Sequence, residues 1–586
     1  MMFYKETNFK ETPIGRIPKE WEVVKLGDDK IAEIRGNKII SAVQKVAFIP
    51  MELIPDHGIF VKYEIRDLKD VSSSTYCEAG DLLLAKITPS LENGKQGIVP
   101  DDIPNGFALA TTEVYPIVCK GIDRLFLFYV LKFPRFRKIL EFSMRGTTGR
   151  QRVPKDAVEK LKIPLPPYQE QKRIAEILST VDEAIQKTNE IIAKTERLKK
   201  GLMQELLTKG LILGFMFDTN IFNAILNEYI DLERLPRSLK YYVTHIQYDE
   251  ICSTQSEARK RELLKIIEKV PSEVIATEGV VCGVSKYGMA KFMSEADAKL
   301  YDEMLRRLKE LDEKAGKKKP VENQARDVLI ALTSIKNCLI LVTEDKNLKR
   351  VTEEFNGQAI TFEQFQKGEY REFKDSEIGR IPKNWEVVKI NKLFDLYKGT
   401  TPSTKNKEYW NGNIPFVTPT DITKINDSNE MYLKTTENCI TKKGLKSKGL
   451  KLVPKDSLLF TSRATIGYLA INKTEVAINQ GIISLIPKDA NIDVTFFYYL
   501  LQKLKNFFEN LAGGSTYKEI SMSTFSNVIV PLPPYQEQQK IAEILSTVDK
   551  KLEIERNEKA KLERIKRGLM DLLLTGKIRV KVNSNG

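Results

Sequence analysis

Histidine is nearly absent from this sequence, and cysteine never occurs in a metal-binding pattern. Only His57 and His245 are present in 586 residues, so chemistry that needs several imidazoles is nearly excluded, and we interpret both as structural or exposed. The six cysteines are Cys77, Cys119, Cys252, Cys282, Cys338 and Cys439. Because none forms a Cys-x-x-Cys pair, their spacing argues against both a zinc site and a disulfide framework.

Long apolar runs are also missing. The run LILGFMF at 211–217 is too short to cross a bilayer, and the N-terminal stretch MMFYKETNFK is charged. These features argue against a membrane-spanning segment and a signal peptide. We therefore expect a cytoplasmic protein that makes no membrane contact.

Two catalytic motifs are missing as well. No GxxxxGK[ST] phosphate loop occurs, which excludes ATP-driven translocation from this chain. Pro-Pro-Tyr occurs twice, but Leu165 and Leu532 precede it, whereas an amino-methyltransferase needs Asp or Asn there. The chain is therefore not expected to methylate DNA itself.

The sequence has an excess of positive charge, with 93 Lys and Arg against 79 Asp and Glu, or +14 net. Such an excess favours a polyanionic partner, most simply nucleic acid, although many basic proteins bind none. The length is typical of three or four domains.

One stretch occurs twice and organises the chain. Residues 164–182 read PLPPYQEQKRIAEILSTVD and residues 531–549 read PLPPYQEQQKIAEILSTVD. The prolines predict a helix start, and Gly210 and Gly576 predict the two helix ends. Apolar residues at heptad spacing follow each start: Ile174, Leu178, Val181, Ile185, Ile192, Leu202 and Leu206, then Ile541, Leu545, Val548, Leu552, Leu562, Leu569 and Leu573. We therefore predict two long coiled-coil helices.

The narrow apolar seam of each helix needs a partner. The near-identity of the two copies favours pairing with each other inside one chain, with pseudo-two-fold symmetry. The alternative is two unrelated dimerisation arms.

A second repeat sets the boundaries. IGRIPKEWEVVK at 14–25 recurs as IGRIPKNWEVVK at 378–389. Between the repeated ends, short β-rich runs separated by turns predict mixed α/β domains whose sequences differ. The predicted domains are 1–163, 164–210 (first long helix), 211–370 (an insertion), 371–530, and 531–586 (second long helix and tail).

These repeats resemble the specificity subunit of type I restriction-modification enzymes. The resemblance implies two target-recognition domains joined by two long antiparallel coiled-coil helices. In that family each domain reads one half of a split double-stranded DNA target, and the helices fix the gap and dock methyltransferase subunits. The expected partners are DNA, two methyltransferase subunits and restriction subunits, with no cofactor for the recognition units.

Polar and basic side chains in turn-rich sequence are the candidate DNA contacts, although solvated surface is the alternative for each. In the first unit they are Lys86, Ser90, Asn93, Lys95, Arg145, Thr147, Thr148, Arg150 and Arg152. In the second they are Thr418, Thr461, Arg463, Thr465, Asn479, Gln480, Ser515, Thr516 and Lys518. The segments MRGTTGRQR and AGGSTYKE are favoured because each lies just before a long helix.

The insertion differs from the repeated units in its pattern of apolar residues. Buried-strand runs end at Asp218 and Asp345, and helical patterns between them predict an α/β domain with a parallel sheet. Glu250 and Asp327 lie on helices that could face the same strand ends. Four converging carboxylates need a cation, so Mg²⁺ or Mn²⁺ would be the natural partner.

The ordered motifs FDTN, YDEI, ARDVLIA and LVTED resemble the PIN-domain ribonucleases. By that resemblance Asp218, Glu250, Asp327 and Asp345 would be catalytic metal ligands, with Thr219 or Asn220 in support. Each acid alone is more often a surface or capping residue.

Three hypotheses stay open at this point. The first is a DNA-recognition module with a passenger insertion, and the second is a metal-dependent PIN-type ribonuclease targeted by the repeat units. The third is a scaffold that binds only proteins, which could not reproduce the loss of duplex affinity with rising salt.

Overall fold

The chain folds into two compact units, one of residues 1–196 with 551–586 and one of residues 197–550. The computed structural model describes residues 3–38, 40, 43–71, 73–147, 149–211, 214–227, 240–270, 272–286, 288–463, 465–512 and 518–581. No helix in this described part of the chain is long and apolar enough to cross a membrane.

The first of the two predicted target-recognition domains, here called the first recognition body, is a mixture of short strands and helices. Its strands are β1 (Phe3–Lys5), β2 (Phe9–Lys10), β3 (Ile17–Pro18), β4 (Glu22–Lys25), β5 (Ala32–Ile34), β6 (Lys45–Ile49), β7 (Glu64–Asp67), β8 (Thr75–Glu78), β9 (Leu82–Ala85), β10 (Gln96–Ile98), β11 (Phe107–Ala110), β12 (Val114–Cys119) and β13 (Lys162–Leu165). Its helices are α1 (Arg124–Lys132), α2 (Pro134–Phe142) and α3 (Lys155–Glu159). The sheets have the orders β10-β9-β12-β5 and β7-β6-β11-β8, so the predicted mixed α/β character is found.

The first long helix and the insertion follow. Helix α4 spans Tyr168–Lys209. The insertion has strands β14 (Phe215–Phe217), β15 (Tyr241–Val243), β16 (Ser272–Val274), β17 (Ile340–Val342) and β18 (Gln358–Ile360). Its helices are α5 (Thr219–Asn227), α6 (His245–Cys252), α7 (Glu257–Lys269), α8 (Glu295–Lys314), α9 (Val321–Lys336), α10 (Lys346–Glu354) and α11 (Phe362–Gln366). Neighbouring strands pair parallel in the order β16-β15-β14-β17-β18, as predicted for an α/β sheet.

The second recognition body resembles the first in layout. Its strands are β19 (Phe373–Ser376), β20 (Gly379–Pro382), β21 (Glu386–Lys389), β22 (Phe394–Lys398), β23 (Trp410–Val417), β24 (Tyr432–Leu433), β25 (Asn438–Ile440), β26 (Leu458–Thr461), β27 (Leu469–Asn472), β28 (Ala477–Ile478), β29 (Ile482–Pro487) and β30 (Ile529–Leu532). Its helices are α12 (Ile390–Leu393), α13 (Pro419–Asp427), α14 (Lys442–Ser447), α15 (Val494–Lys503), α16 (Lys505–Leu511) and α17 (Met522–Ser526). The main sheet has the order β22-β29-β26-β27-β24.

The second long helix, α18, spans Tyr535–Leu574, and strand β31 (Ile578–Val580) follows it. Both long helices start directly after the repeated prolines, as the sequence predicted. Strand β31 pairs antiparallel with β1. The first unit is therefore built from stretches that lie far apart in the sequence.

In the first unit the two long helices run antiparallel. Lys566 on α18 pairs with Asp182 on α4 at 2.5 Å, and Arg556 pairs with Glu196 at 2.7 Å, so one residue number falls as the other rises. Asp182 also accepts a hydrogen bond from the Tyr129 hydroxyl at 2.8 Å. This aspartate therefore links the recognition body to both helices.

The same arrangement recurs in the second unit. Asp549 of α18 pairs with Lys199 of α4 at 2.7 Å and accepts a hydrogen bond from the Tyr499 hydroxyl at 2.7 Å. Asp182 and Asp549 are the last residues of the repeated stretch, and Lys199 and Lys566 also occupy equivalent positions. The repetition in sequence is thus a repetition of contacts.

The predicted apolar seam is less continuous than its heptad pattern indicates. Ile174 and Leu178 are fully buried near the start of α4 and Leu206 is buried near its end, but in the middle of the helix Ile185 and Ile192 are only half-buried, and Thr188 and Thr195 are the buried residues there. Each threonine hydroxyl donates to a backbone carbonyl one turn earlier in the helix, which satisfies its polar atom. Two threonines are therefore more deeply buried in the middle of α4 than the predicted seam residues Ile185 and Ile192.

Each long helix begins with a buried carboxylate that closes its unit. In the first unit Glu170, 2% exposed, accepts from the Trp21 indole N–H at 3.1 Å and from Arg579 at 2.7 and 2.9 Å. Arg579 also donates to Glu6 and Glu20. The first unit is therefore closed by residues from its beginning, its middle and its end.

In the second unit Glu537 has the same role. It is 4% exposed and accepts from the Trp385 indole at 3.0 Å, the Leu211 amide at 2.8 Å and Arg371 at 3.1 Å. Arg371 also donates to the carbonyls of Lys209 and Leu211. The two ends of the insertion are thus held together by one arginine.

Replacing Glu537 by alanine should strongly destabilise the second unit. Arg371 and the Trp385 N–H would stay buried without their acceptor, and breaking such a pair costs about 3–5 kcal/mol. Urea unfolding followed by tryptophan fluorescence measures this loss. The control is Glu543→Ala on the same helix, an exposed partner of Lys540, which should change stability by less than about 1 kcal/mol. Equal effects of both changes would contradict the structural role of Glu537.

Candidate nucleic-acid interface and acidic cluster

The predicted DNA contacts of the first unit lie on two adjoining loops. Loop 87–95 connects β9 to β10, and the hairpin 145–152 follows α2. The Thr88 amide donates to the Gln151 carbonyl at 3.0 Å, and Ile87 and Arg152 form an isolated antiparallel bridge. Arg145 and Arg152 exchange two backbone hydrogen bonds of 2.9 Å across the hairpin. The structure therefore brings these separate segments together.

The predicted side chains on these two loops differ in their solvent exposure. Asn93, Arg145, Thr147 and Arg150 are exposed. Thr148 lies outside the described residues. These four side chains can meet a partner directly; Arg152 is exposed as well, but Glu113 pairs with it.

The remaining predicted residues of this set are tied to the protein. Ser90 is only 9% exposed, so the expectation of a surface serine is not met. Lys95 donates to the Met51 carbonyl at 2.7 Å, and Arg152 forms a bidentate pair with Glu113 at 2.9 and 2.7 Å. Lys86 lies 4.8 Å from the centre of the Tyr115 ring, and burial lowers its pKa.

In the second unit the predicted residues also meet, around the turn 461–465. The Ser462 amide donates to the Gly481 carbonyl at 2.8 Å, and the Ile520 amide donates to the Ser462 carbonyl at 3.0 Å. The Asn479 amide reaches the Val417 carbonyl at 2.9 Å. Segments carrying Thr418, Asn479, Gln480 and Lys518 are therefore adjacent to this turn.

Most of these side chains have protein partners. Thr418 caps helix α13 with Asp421, and Arg463 pairs with Glu519 at 2.8 Å. Asn479 donates to the Thr401 hydroxyl at 2.8 Å, and that hydroxyl donates to Gln480.

Five further predicted positions of the second unit differ in whether they are buried, exposed or outside the described residues. Thr461 is fully buried and bonds to the Thr465 carbonyl, so it does not present its side chain. Thr465 and Lys518 are exposed. Ser515 and Thr516 lie outside the described residues.

The acids that hold these arginines were not predicted from the sequence. Glu113 binds Arg152 and Glu519 binds Arg463, and Glu519 also pairs with Lys398. Neither glutamate stands in a distinctive motif, and each arginine–glutamate pair is separated by more than thirty residues. Local sequence carried no signal for these pairs.

In the insertion the four predicted acids do come together. Asp218 follows β14, and its amide donates to the Val342 carbonyl at 3.0 Å. Asp345 caps helix α10 just beyond the neighbouring parallel strand β17. Glu250 lies on α6 and Asp327 on α9. Two acids therefore lie at the carboxyl ends of adjacent strands, as expected.

The supporting polar residues also take part. The Thr343 hydroxyl donates to Asp218 at 2.7 Å, and the Asn220 amide donates to the same carboxylate. The Thr219 hydroxyl donates to Glu250. Thr219 and Asn220 were named from the sequence, whereas Thr343 was not.

The four carboxyl groups of this cluster have perturbed pKa values, three of them raised and one lowered. Burial, together with the nearby Glu250 and Asp345 carboxylates, raises the pKa of Asp218. Burial and the Asp218 charge likewise raise the pKa of Asp327, and burial raises that of Glu250. Burial alone would also raise the pKa of Asp345, but the ammonium groups of Lys319 and Lys317 hold it at about 2.

Lys319 is the unexpected member of this site. Its ammonium group bridges Asp327 at 3.0 Å and Asp345 at 2.6 Å. Among the described residues, no group of three or more His, Cys, Asp or Glu side chains is arranged to hold a metal ion. The oxygen donors suit Mg²⁺ or Mn²⁺, but with Lys319 in place their arrangement does not fit a bound divalent cation. We therefore assign no reaction step to a metal here.

The chain belongs to the family of type I restriction modification DNA specificity domains. The family model matches it twice, over residues 18–197 and 382–564, which together make up more than half of the chain. Each match covers one recognition body and most of the long helix that follows it.

The chain is also similar to individual specificity subunits and to a solved S subunit. The type I restriction enzyme MjaIX specificity subunit of Methanocaldococcus jannaschii is 41% identical over 195 residues, which are 33% of this chain and 44% of that protein. The MjaVIII specificity subunit of the same organism is 24% identical over 598 residues, covering 99% of this chain and 98% of that protein. A crystal structure of a type I restriction-modification system S subunit from M. genitalium covers 96% of this chain and 97% of its own, at a TM-score of 0.41 and 14% identity.

The stability of the insertion should fall as pH rises from about 5 to about 8. The raised pKa values of Asp218, Asp327 and Glu250 mean that the folded state holds protons that the unfolded state releases, so higher pH favours unfolding. Hydrogen exchange of the β17 amides, corrected for intrinsic rate, gives the opening free energy at each pH.

Asp218→Asn should make this pH dependence shallower, because the substitution removes one of the perturbed carboxyls. Asp249→Asn is the control, since Asp249 lies outside the cluster and pairs with Lys286. Stability that is constant or rises over the same pH range would contradict the raised pKa values of Asp218, Asp327 and Glu250.

Proposed function

We propose that this chain is the DNA sequence-recognition subunit of a type I restriction-modification complex. Each recognition body reads one half of a bipartite double-stranded target, and partner subunits supply methylation and cleavage. The observation that carries the proposal is the double family match, one for each repeated half of the chain.

The chemistry of the two loop regions supports this role. Exposed arginines such as Arg145 and Arg150, and the exposed Lys518, suit contacts with phosphates. Exposed Asn93 and Thr147 can bond to base edges in a groove. Because the loops of the two bodies differ in sequence while their frameworks repeat, the two half-sites should differ in sequence.

The long helices are the proposed docking site for two methyltransferase subunits, which in turn recruit restriction subunits. Apolar side chains stay exposed along both helices: Ile191, Leu198, Ile554 and Ile565 are 40%, 56%, 67% and 43% exposed. Exposed apolar side chains of this kind favour a protein partner over free solvent.

The same helices are the proposed spacer between half-sites. Adding seven residues to α4 after Glu196 and to α18 after Lys550 would lengthen each by about 10 Å while roughly keeping its apolar face. The gap between half-sites should then grow by about three base pairs. Mapping of methylated adenines in a host carrying the altered chain measures the gap.

The control adds seven residues to the exposed segment around Lys318, outside both helices, and should leave the gap unchanged. An unaltered gap in the double-helix variant would count against the spacer role.

As a second candidate, we propose that the insertion is a PIN-like nuclease domain. The strand order of its parallel sheet and the meeting of four acids at the carboxyl ends of β14 and β17 favour this reading. The Lys319 bridge argues for a resting site that needs rearrangement before Mg²⁺ or Mn²⁺ could enter.

Purified full-length chain separates the two candidates. A working nuclease would cleave RNA or single-stranded DNA only with Mg²⁺ or Mn²⁺, and Asp218→Asn would abolish cleavage while Asp249→Asn would not. A recognition module would bind duplex with a fixed gap, losing affinity as salt rises, and would cleave nothing. Gap-dependent binding that persists in Asp218→Asn would assign recognition to the repeat units alone.

A further inference from the structure

Arg137 is a buried arginine that forms a salt bridge with no carboxylate of the described residues, and only the nearby Glu141 charge on the same helix acts on it. It lies on the inner face of α2 beside Phe136 and Leu140 and is 6% exposed. Within the described part of the chain its hydrogen bonds go to two backbone carbonyls and one side-chain amide. Removing a guanidinium from water is costly, so a buried arginine is usually held by an acid.

The partners of Arg137 belong to loop 87–95, to the start of β10 and to the end of helix α1. One guanidinium nitrogen donates to the Leu91 carbonyl at 2.5 Å, and the other donates to the Gln96 side chain at 2.5 Å and the Leu131 carbonyl at 3.0 Å. Gln96 is fully buried and donates in turn to the Phe128 carbonyl at 2.7 Å. The rigid guanidinium thus fixes the loop to helix α1 at two points.

A second cation acts on the same loop. The Lys132 ammonium donates to the Gly94 carbonyl at 3.0 Å and to the Asp56 carbonyl. Burial, the nearby Arg137 and Lys566 lower the pKa of Lys132 to about 7, and burial lowers that of Arg137 to about 10. Both charged groups are therefore buried at a cost in desolvation, and each donates a hydrogen bond to a carbonyl of this loop.

The loop itself is a tight turn whose polar atoms are already paired internally. The Gly94 amide donates to the Leu91 carbonyl and the Lys95 amide to the Ser90 carbonyl, both at 2.9 Å. Exposed Asn93 lies at its outer end. Because Arg137 and Lys132 hold the Leu91 and Gly94 carbonyls, they also restrict the orientation of Asn93, which lies between them in the sequence.

We propose that Arg137, with Lys132 in support, is a positioning residue that sets the conformation of loop 87–95 for reading one half-site. This inference rests on the proposed recognition function. Arg137 does not reach the DNA itself, because it is covered by the loop that it holds. In some proteins a buried polar or charged group is retained because it specifies one conformation, and the proposal assigns that role to Arg137.

In the second unit the corresponding strand connection is held by a different kind of contact. The corresponding connection, between β26 and β27, contacts Lys505 at the start of α16. That ammonium lies 4.1 Å from the centre of the Tyr468 ring and pairs with Glu509 at 3.7 Å. A lysine paired with an acid at the surface replaces the buried arginine. The second half-site is therefore an internal control for any change at Arg137.

The experiment compares full-length wild type, Arg137→Met, Arg137→Lys and the exposed-neighbour control Lys138→Met. Methylation mapping first supplies the bipartite target. Competition binding with duplexes altered in one half or the other then gives the discrimination at each half-site. Arg137→Met should lower discrimination at one half-site by at least about tenfold and leave the other within about twofold.

The salt dependence of binding separates positioning from direct contact. A residue that touches a phosphate lowers the slope of log K against log salt by about one when removed, whereas Arg137→Met should leave that slope unchanged. Arg137→Lys, which keeps the charge but not the three-way bonding, should lose discrimination partly. If the methionine variant does not fold, the Arg137→Lys variant is used to test the proposal.

Equal loss at both half-sites, an altered slope, or unchanged discrimination would each overturn the inference. A wild-type chain without gap-dependent duplex binding would instead overturn the proposed function, and the inference with it.

Discussion

A buried carboxylate at the start of each long helix is the interaction on which both units depend. Glu170 and Glu537 each accept an indole N–H from the repeated tryptophan and an arginine from a distant part of the chain. A buried carboxylate without such partners would cost several kcal/mol, so its neutralisation ties the frame of each recognition body to its helix. The repeated sequence is retained around this contact while the loops that carry the candidate DNA contacts differ.

The parts of the fold that local sequence dictates were predictable. Prolines, glycines and apolar spacing placed α4 and α18, and buried-strand runs placed the parallel sheet of the insertion. Contacts between distant residues were not predictable, because Trp21 and Glu170 are 149 residues apart and carry no mutual signal. Thr188 and Thr195 were missed because a heptad pattern scores only large apolar residues.

The candidate sites divide in the same way. Asp218 and Asp345 could be placed together because parallel strands end at one edge of a sheet, but Lys319 belongs to a run of three lysines and nothing in the sequence distinguishes it. Turn-rich sequence indicated the segments that meet in the candidate DNA-contact loops, but it could not separate exposed Arg145 from buried Ser90 or from buried Thr461. Burial depends on packing that no single segment encodes.

The first unit is discontinuous, since it needs residues 551–586 to complete residues 1–196. On the ribosome the second unit is therefore fully synthesised first, and the N-terminal recognition body must wait for Arg579 before its buried glutamate gains a counter-charge. This reverses the usual order in which N-terminal domains fold first. Chaperone dependence during translation is therefore expected to concentrate on the beginning of the chain, which stays incomplete for most of its synthesis.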